Sequence, residues 1–175
     1  MKGLTAGLAA VLLTGCASLA PLAPVGEGDA YSGRLALRVD AQGASAARAF
    51  SAAFDLRGGG RAGALGLSTP LGSMLAQARW QPGEVVLATP QGTRRFDDLD
   101  GLTREVLGES VPIDAWFDWL HGRPWPGAPS LPTGATGFTQ LGWSVDLGRF
   151  GEGAVSAQRN EPLPLVTVRI QLDRP

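Results

Sequence analysis

The chain is expected to fold as an α+β protein, with helices gathered against one side of an antiparallel sheet. Three features lead to this. From Arg34 to Phe96 short runs alternate apolar and polar residues, with turn residues between them. From Asp97 to Gly122 the period becomes helical. From Gly142 to Leu172 alternation returns.

The strands come first. "RLALRVD" puts Leu35, Leu37 and Val39 on one face and Arg34, Arg38 and Asp40 on the other. "AQGASAA" is a turn. "RAFSAAFDL" then sets Phe50, Ala52, Phe54 and Leu56 inward. "RGGGRAG" turns the chain into a short strand over Ala64 to Ser68. After "TPLGS", the run "MLAQARW" shares Met74, Ala76, Ala78 and Trp80 on one face. "QPGE" and "QG" are turns, which leaves "VVLATP" and "TRRF" as strands. Short strands at this spacing predict an antiparallel meander.

Two helices follow. In "DDLDGLTREVLG", Leu99, Leu102, Val106 and Leu107 fall near one face, acids crowd the first turn and Gly108 ends it. In "PIDAWFDWLHG", Ile113, Trp116, Phe117 and Leu120 recur at i, i+3, i+4 and i+7. Pro112 suits the first turn and Gly122 the position after the end. At about 100° per residue, Trp119 falls off that stripe. "RPWPGAPSLPTGATG" reads as a Pro/Gly loop. "GWSVDL" and "VTVRIQL" read as strands, with Trp143, Val145 and Leu147, and Val166, Val168, Ile170 and Leu172, on their inner faces.

The amino terminus has a different grammar. Lys2 precedes an apolar run from Leu4 to Leu13 that is too short to span a bilayer as a stable anchor, and small residues follow. This is a secretory signal, set apart from the fold. It ends in Leu13-Thr14-Gly15-Cys16, which resembles a bacterial lipobox. The resemblance implies cleavage before Cys16, a diacylglycerol on its sulfur and acylation of the new amino group. Cys16 is the single cysteine of the chain, so no thiol remains for a disulfide or a thiolate metal site. Ala17 follows where Asp commonly signals retention in the inner membrane, which points to the outer membrane. Several acyl chains together give stable anchoring. Residues 1–15 are thus expected as signal, 16–30 as lipidated cysteine and Ala/Pro/Gly tether, and 31–175 as one domain.

Without Lys2, 14 arginines stand against 16 acids, so the chain is mildly acidic. No basic, aromatic-interleaved patch suggests nucleic acid. The single His121 sits at a helix end, where a histidine ordinarily meets the last carbonyls. Asp97, Asp98 and Asp100 suit a helix start, and Asp114 and Asp118 a solvated face. No nucleophile elbow, phosphate loop or Cys/His cluster appears, so no enzyme, metal site or cofactor is expected. What stands out is apolar. Five Trp and six Phe occupy a small chain. The aromatic face of the second helix fits either a packed core or the lining of a cavity for a greasy ligand.

Taken in order, "YSGRLALRV", "LGLSTPLGS", "VPIDAWFDWLHGRP" and "GWSV", behind a lipobox, resemble the LolB family, the outer-membrane lipoprotein receptors of Gram-negative bacteria. Pro112, Trp119, Gly122 and Pro124 match its pattern of a Pro-initiated helix with Trp three before Gly and Pro two after. The resemblance covers Tyr31 to about Leu172.

It implies a half-open antiparallel β-barrel whose helices cover an apolar cavity, and no enzymatic activity. The cavity would take the acyl chains of a lipoprotein handed over by a LolA-like periplasmic carrier, for insertion into the outer membrane, with the receptor as a monomer. The candidate cavity residues are Leu35, Leu37, Phe50, Phe54, Trp80, Ile113, Trp116, Phe117, Trp143 and Val168. The family's membrane-inserting leucine corresponds to Leu71, between Pro70 and Gly72. The residues alone favour Leu71 packing against the barrel rim, and the resemblance favours its projection and insertion. Leu56, Leu147 and the ending Leu172-Asp173-Arg174-Pro175 replace aromatic residues common in the family, which alters the shape of any cavity.

Overall fold

A computed structural model describes residues 28–173. Alternation becomes strands where expected: β1 (Asp29–Val39), β2 (Arg48–Gly58), β3 (Gly63–Ser68), β4 (Met74–Gln81), β5 (Glu84–Thr89) and β6 (Gly92–Phe96). Helices α1 (Leu99–Leu107) and α2 (Ile113–Leu120) follow. Then come β7 (Ser130–Thr133), β8 (Gly137–Gln140), β9 (Trp143–Asp146), β10 (Ala154–Arg159) and β11 (Val166–Leu172). The fold is α+β. All eleven strands lie in one antiparallel sheet, ordered β6-β5-β4-β3-β2-β1-β11-β10-β9-β8-β7. The sheet is open, with β6 and β7 as its edges. The signal, Cys16 and most of the expected tether lie outside the described residues, and β1 begins at Asp29.

The two long strands β1 and β2 form the spine. Arg34 of β1 lies opposite Ala53 of β2 and Gln171 of β11. On the other side of Ala53, β3 ends at Ser68. The β3–β6 half and the β11–β7 half therefore pair with different stretches of the spine, offset along it.

Contacts of α2 require the sheet to curl. Phe117 meets the Trp80 ring of β4 at 6.3 Å, and Trp119 meets Phe138 of β8 and Trp143 of β9 at 6.3 and 6.4 Å. Five strands separate β4 from β9 in the sheet order. Flat, at about 4.8 Å per strand, they would stand roughly 29 Å apart. A helix about 10–12 Å across reaches both only if the sheet wraps around it.

Local chemistry explains the helix ends. Asp98 caps α1 by accepting from Gly101 N–H at 2.7 Å, and Gly108 closes it in the left-handed conformation. Gly122, with φ 76°, plays that part after α2. Gly63 is required by packing, since a Cβ there would stand 2.4 Å from the Trp80 ring.

Two readings are corrected and one strand is new. The Pro/Gly stretch from 123 to 137 is not all loop, because Ser130–Thr133 pairs with Gly137–Gln140 as a hairpin. Ala154–Arg159, with only one bulky aliphatic residue, is a strand inserted between β9 and β11. Trp119, off the helical stripe, is 2% exposed. A helix flanked by sheet on two sides is buried nearly all round, so one amphipathic stripe underestimates its contacts.

Candidate functional site

The concave face and α2 form one apolar interior. Leu35 and Leu37 of β1, Phe54 of β2, Trp80 of β4, Trp143 of β9 and Val168 of β11 are all buried there. From the helix, Ile113, Trp116 and Phe117 are buried against them. The odd one out is Phe50, which faces inward by its strand parity but lies half-buried near the β1–β2 loop. Met74, also expected inward, is exposed, because β3 and β4 lose register between Leu67 and Ser68.

Between α2 and β10–β11 this interior is filled. The void between α2 and β10–β11, lined by Trp116, Trp119, Leu120, Val155, Ala157, Val168 and Ile170, measures about 10 Å³. That is roughly the space of a single water probe. Side chains of the protein thus fill the space between α2 and β10–β11, whereas two other candidate cavity residues, Trp80 and Ile113, border a hollow of about 400 Å³ between the α1–α2 linker and β4–β5.

Few polar ties hold α2 in place, and each is specific. Gln140, 2% exposed, is the chief one. Its Oε1 accepts from Trp119 Nε1 and from Trp125 N–H, both at 2.9 Å, and its Nε2 donates to the carbonyls of Trp125 and Ala128, both at 2.7 Å. A second tie lies at the α1–α2 linker. Arg159 of β10 donates to Glu109 at 2.6 Å and to the Ser110 carbonyl at 3.2 Å, with its guanidinium over the Trp143 ring. A third is at the helix end, where His121 Nδ1 lies 3.0 Å from the Phe117 carbonyl and 2.7 Å from the Tyr31 hydroxyl. Burial, reinforced by Asp29, pushes the Tyr31 phenol well above its usual range. Of the acids noted in the sequence, Asp100 bonds Ser110 and Arg104, and Asp118 pairs with Arg123 at 2.7 Å.

The loop between β3 and β4 is the other distinctive feature. Gly72 N–H donates to the Thr69 carbonyl at 2.9 Å, closing a turn with Pro70 and Leu71 at its two central positions. Gly72 follows in the left-handed region, with φ 83°. Thr69 and Ser73 close the base through a 2.9 Å backbone bond and a 3.1 Å bond from Ser73 N–H to the Thr69 hydroxyl. Leu71 therefore stands at the tip of a closed turn and is 95% exposed. It does not pack on the rim.

Residues 30–174 match the family model described as "Outer membrane lipoprotein LolB". The chain belongs to the LolB family. It is a family of outer-membrane lipoproteins, not of enzymes. A relative from Bordetella petrii named "Outer-membrane lipoprotein LolB" is 38% identical, covering 98% of this chain and 92% of its own length. Relatives of the same name from Bordetella pertussis and Cupriavidus pinatubonensis are 33% and 34% identical. They cover 100% and 95% of this chain, and 94% and 83% of their own lengths.

The candidate cavity set leaves out several residues of this LolB-family interior: Leu120, Phe138, Val155, Ala157 and Ile170 among them. Ile170 and Leu120 were visible as inward members of their elements. Phe138, Val155 and Ala157 were not, because their strands carry little alternation. Gln140 gave no signal at all, since a buried amide is recognised only by the partners around it.

Proposed function

We propose that this protein is an outer-membrane lipoprotein receptor. It accepts acylated lipoproteins from a LolA-like soluble carrier into an apolar space beneath α2, and releases them into the outer membrane. The curled sheet acts as a half-open barrel and α2 as its lid. Residues 1–15 direct export, Cys16 carries the lipid anchor, and residues 16–30 tether the domain on the periplasmic face. The receptor acts as a monomer.

One arrangement carries this reading: the concave face is closed by a helix, not by another strand. A strand would be locked by a ladder of hydrogen bonds, whereas α2 is held by side-chain packing and a few polar ties. Lifting α2 exposes an apolar trough at modest polar cost, and acyl chains replace Trp116, Phe117 and Leu120 against the wall. Each methylene drawn fully into water costs about 0.8 kcal/mol, so several long chains pass mouth to mouth and not through solution. Leu71, at the turn tip, dips into lipid at the release step. A single side chain gains at most about 3 kcal/mol there, enough to perturb a bilayer locally without anchoring the protein.

A form beginning after Cys16, mixed with carrier loaded with a lipidated cargo, tests the reading by co-purification. Cargo found on the receptor domain supports it. Cargo retained by the carrier, with the domain shown folded by circular dichroism, overturns it.

The tight packing between α2 and β10–β11 favours one other reading, a structural outer-membrane lipoprotein whose barrel holds only its own side chains. An apolar dye distinguishes the two, because its fluorescence rises on a trough that opens and stays flat on a sealed core.

A further inference from the structure

The opposite face of the same sheet holds a larger space than the interior. On β1, Arg34 and Ala36 alternate with buried Leu35 and Leu37, so they point to the outer side. There a groove of about 650 Å³ runs across β2, β1, β11 and β10, from Pro70 at one end to Asp146 and Arg149 at the other. A second hollow of about 230 Å³ continues it and shares Ala36, Ser51 and Arg169. Register explains the hollow. One row across the strands reads Ala53, Arg34, Gln171, Ala154, and the next reads Ser51, Ala36, Arg169, Ser156, Asp146. Each row sets one arginine among mostly small residues, whose side chains leave a trough.

The charges in this trough are unbalanced. Arg34 lies opposite Gln171, which places Arg169 on the diagonal, with Cβ atoms roughly 7 Å apart. Neither arginine has an acidic partner among the described residues. Arg149 is paired with Glu152 at 2.6 Å, and Asp146, the one acid of the lining, accepts from Gly148 N–H at 2.8 Å. Three arginines against one acid stand out on a chain whose net charge is −1. Two free guanidiniums on one floor suit the phosphate oxygens of one ligand or of two neighbouring headgroups.

We propose that this groove docks the protein on the phosphate headgroups of anionic bilayer lipids. Its position argues for a membrane over a peptide or a soluble anion. Pro70, which lines the groove, directly precedes Leu71 at the tip of the exposed turn. A surface that lowers Leu71 into the acyl region brings the neighbouring groove to headgroup level, where arginines are attracted to anionic lipid. The docked sheet turns its outer face to the bilayer and leaves the α2 side open to the periplasm. The inference rests on the proposed membrane anchoring and on the place of the groove beside the Leu71 turn, and it involves neither cargo nor carrier.

The test uses the full chain, expressed with its own leader, purified from membranes and reconstituted in vesicles. Ser51→Cys, on the groove wall, carries an environment-sensitive fluorophore. Vesicles contain phosphatidylcholine alone or with phosphatidylglycerol, and a nitroxide-headgroup lipid serves as quencher. The expected result is a blue shift and strong quenching with phosphatidylglycerol, both reversed by salt. Arg34→Gln/Arg169→Gln loses the response and Arg34→Lys/Arg169→Lys keeps most of it. An equal response in both vesicle types, or an undiminished response in the Gln pair, overturns the proposal. So does a response to inorganic phosphate over phosphatidylcholine vesicles, which would make the groove a free-anion site. Leu71→Glu separates the two ideas: a groove response that survives it, with release of cargo unimpaired, sinks the insertion reading and leaves the groove standing.

Discussion

The Trp119 indole donates to the Gln140 side chain across 2.9 Å, joining α2 to the β8 strand inside the core. All four hydrogen-bonding directions of that amide are used, two as acceptor and two as donor. The same residue fastens the 125–128 segment, so one side chain fixes helix, strand and connecting loop.

Gln140→Ala strands an indole N–H, one backbone N–H and two carbonyls. With a penalty of about 1–3 kcal/mol per unsatisfied buried group, and water reaching some of them, the expected loss is on the order of 3 kcal/mol. Urea unfolding with an unchanged slope checks it. A loss below about 1 kcal/mol would show that the loop re-forms its bonds without the amide.

At the linker between the helices, Glu109 and the buried Arg159 make an asymmetric pair. Glu109→Ala leaves a guanidinium that is 7% exposed with only the Ser110 carbonyl and the Trp143 face. The expected cost is about 3 kcal/mol, whereas Arg159→Met, which removes the buried charge and keeps an apolar stem, costs less. A double-mutant cycle by chemical denaturation measures the coupling, and equal single losses would contradict the argument.

Tyr31 is the only tyrosine of the chain, so its ionisation is read without overlap. Burial raises its pKa above the unfolded value of about 10, which means that the native state holds the proton longer. Its contribution to stability is therefore complete below about pH 10 and falls as pH rises beyond it. Phenolate absorbance should appear well above the usual range, together with loss of ellipticity. Tyr31→Phe should flatten the alkaline decline. A phenolate signal at the ordinary pH in folded protein would refute the account.

Leu71→Glu changes a side chain that touches little of the fold, so stability should stay within about 0.5 kcal/mol of the parent. Uptake of cargo from the carrier should persist, while release into liposomes fails. Normal release by this variant would remove Leu71 from the mechanism.

What could be read from the chain alone was whatever is written in local period and punctuation. Leu35-Leu37-Val39 and Val166-Val168-Ile170 declared their strands because alternation is intrinsic to a pleated backbone. Asp98, Gly108 and Gly122 marked helix ends because unpaired amides and left-handed turns demand those residue types. The ordered motifs from Tyr31 to Leu172 also carried the family. Tertiary structure decided everything that depends on which surfaces meet. Trp119 is buried because a curled sheet brings β8 and β9 to a side of α2 that the helix's own stripe leaves free. The space between α2 and β10–β11 is filled because Trp116, Trp119 and Leu120 occupy it. The arginine groove exists because pairing of β2, β1, β11 and β10 aligns residues more than a hundred positions apart. Period reports how a segment is wound and which of its own residues share a side. Register and curvature arise only when distant strands pair, and they determine what those sides face.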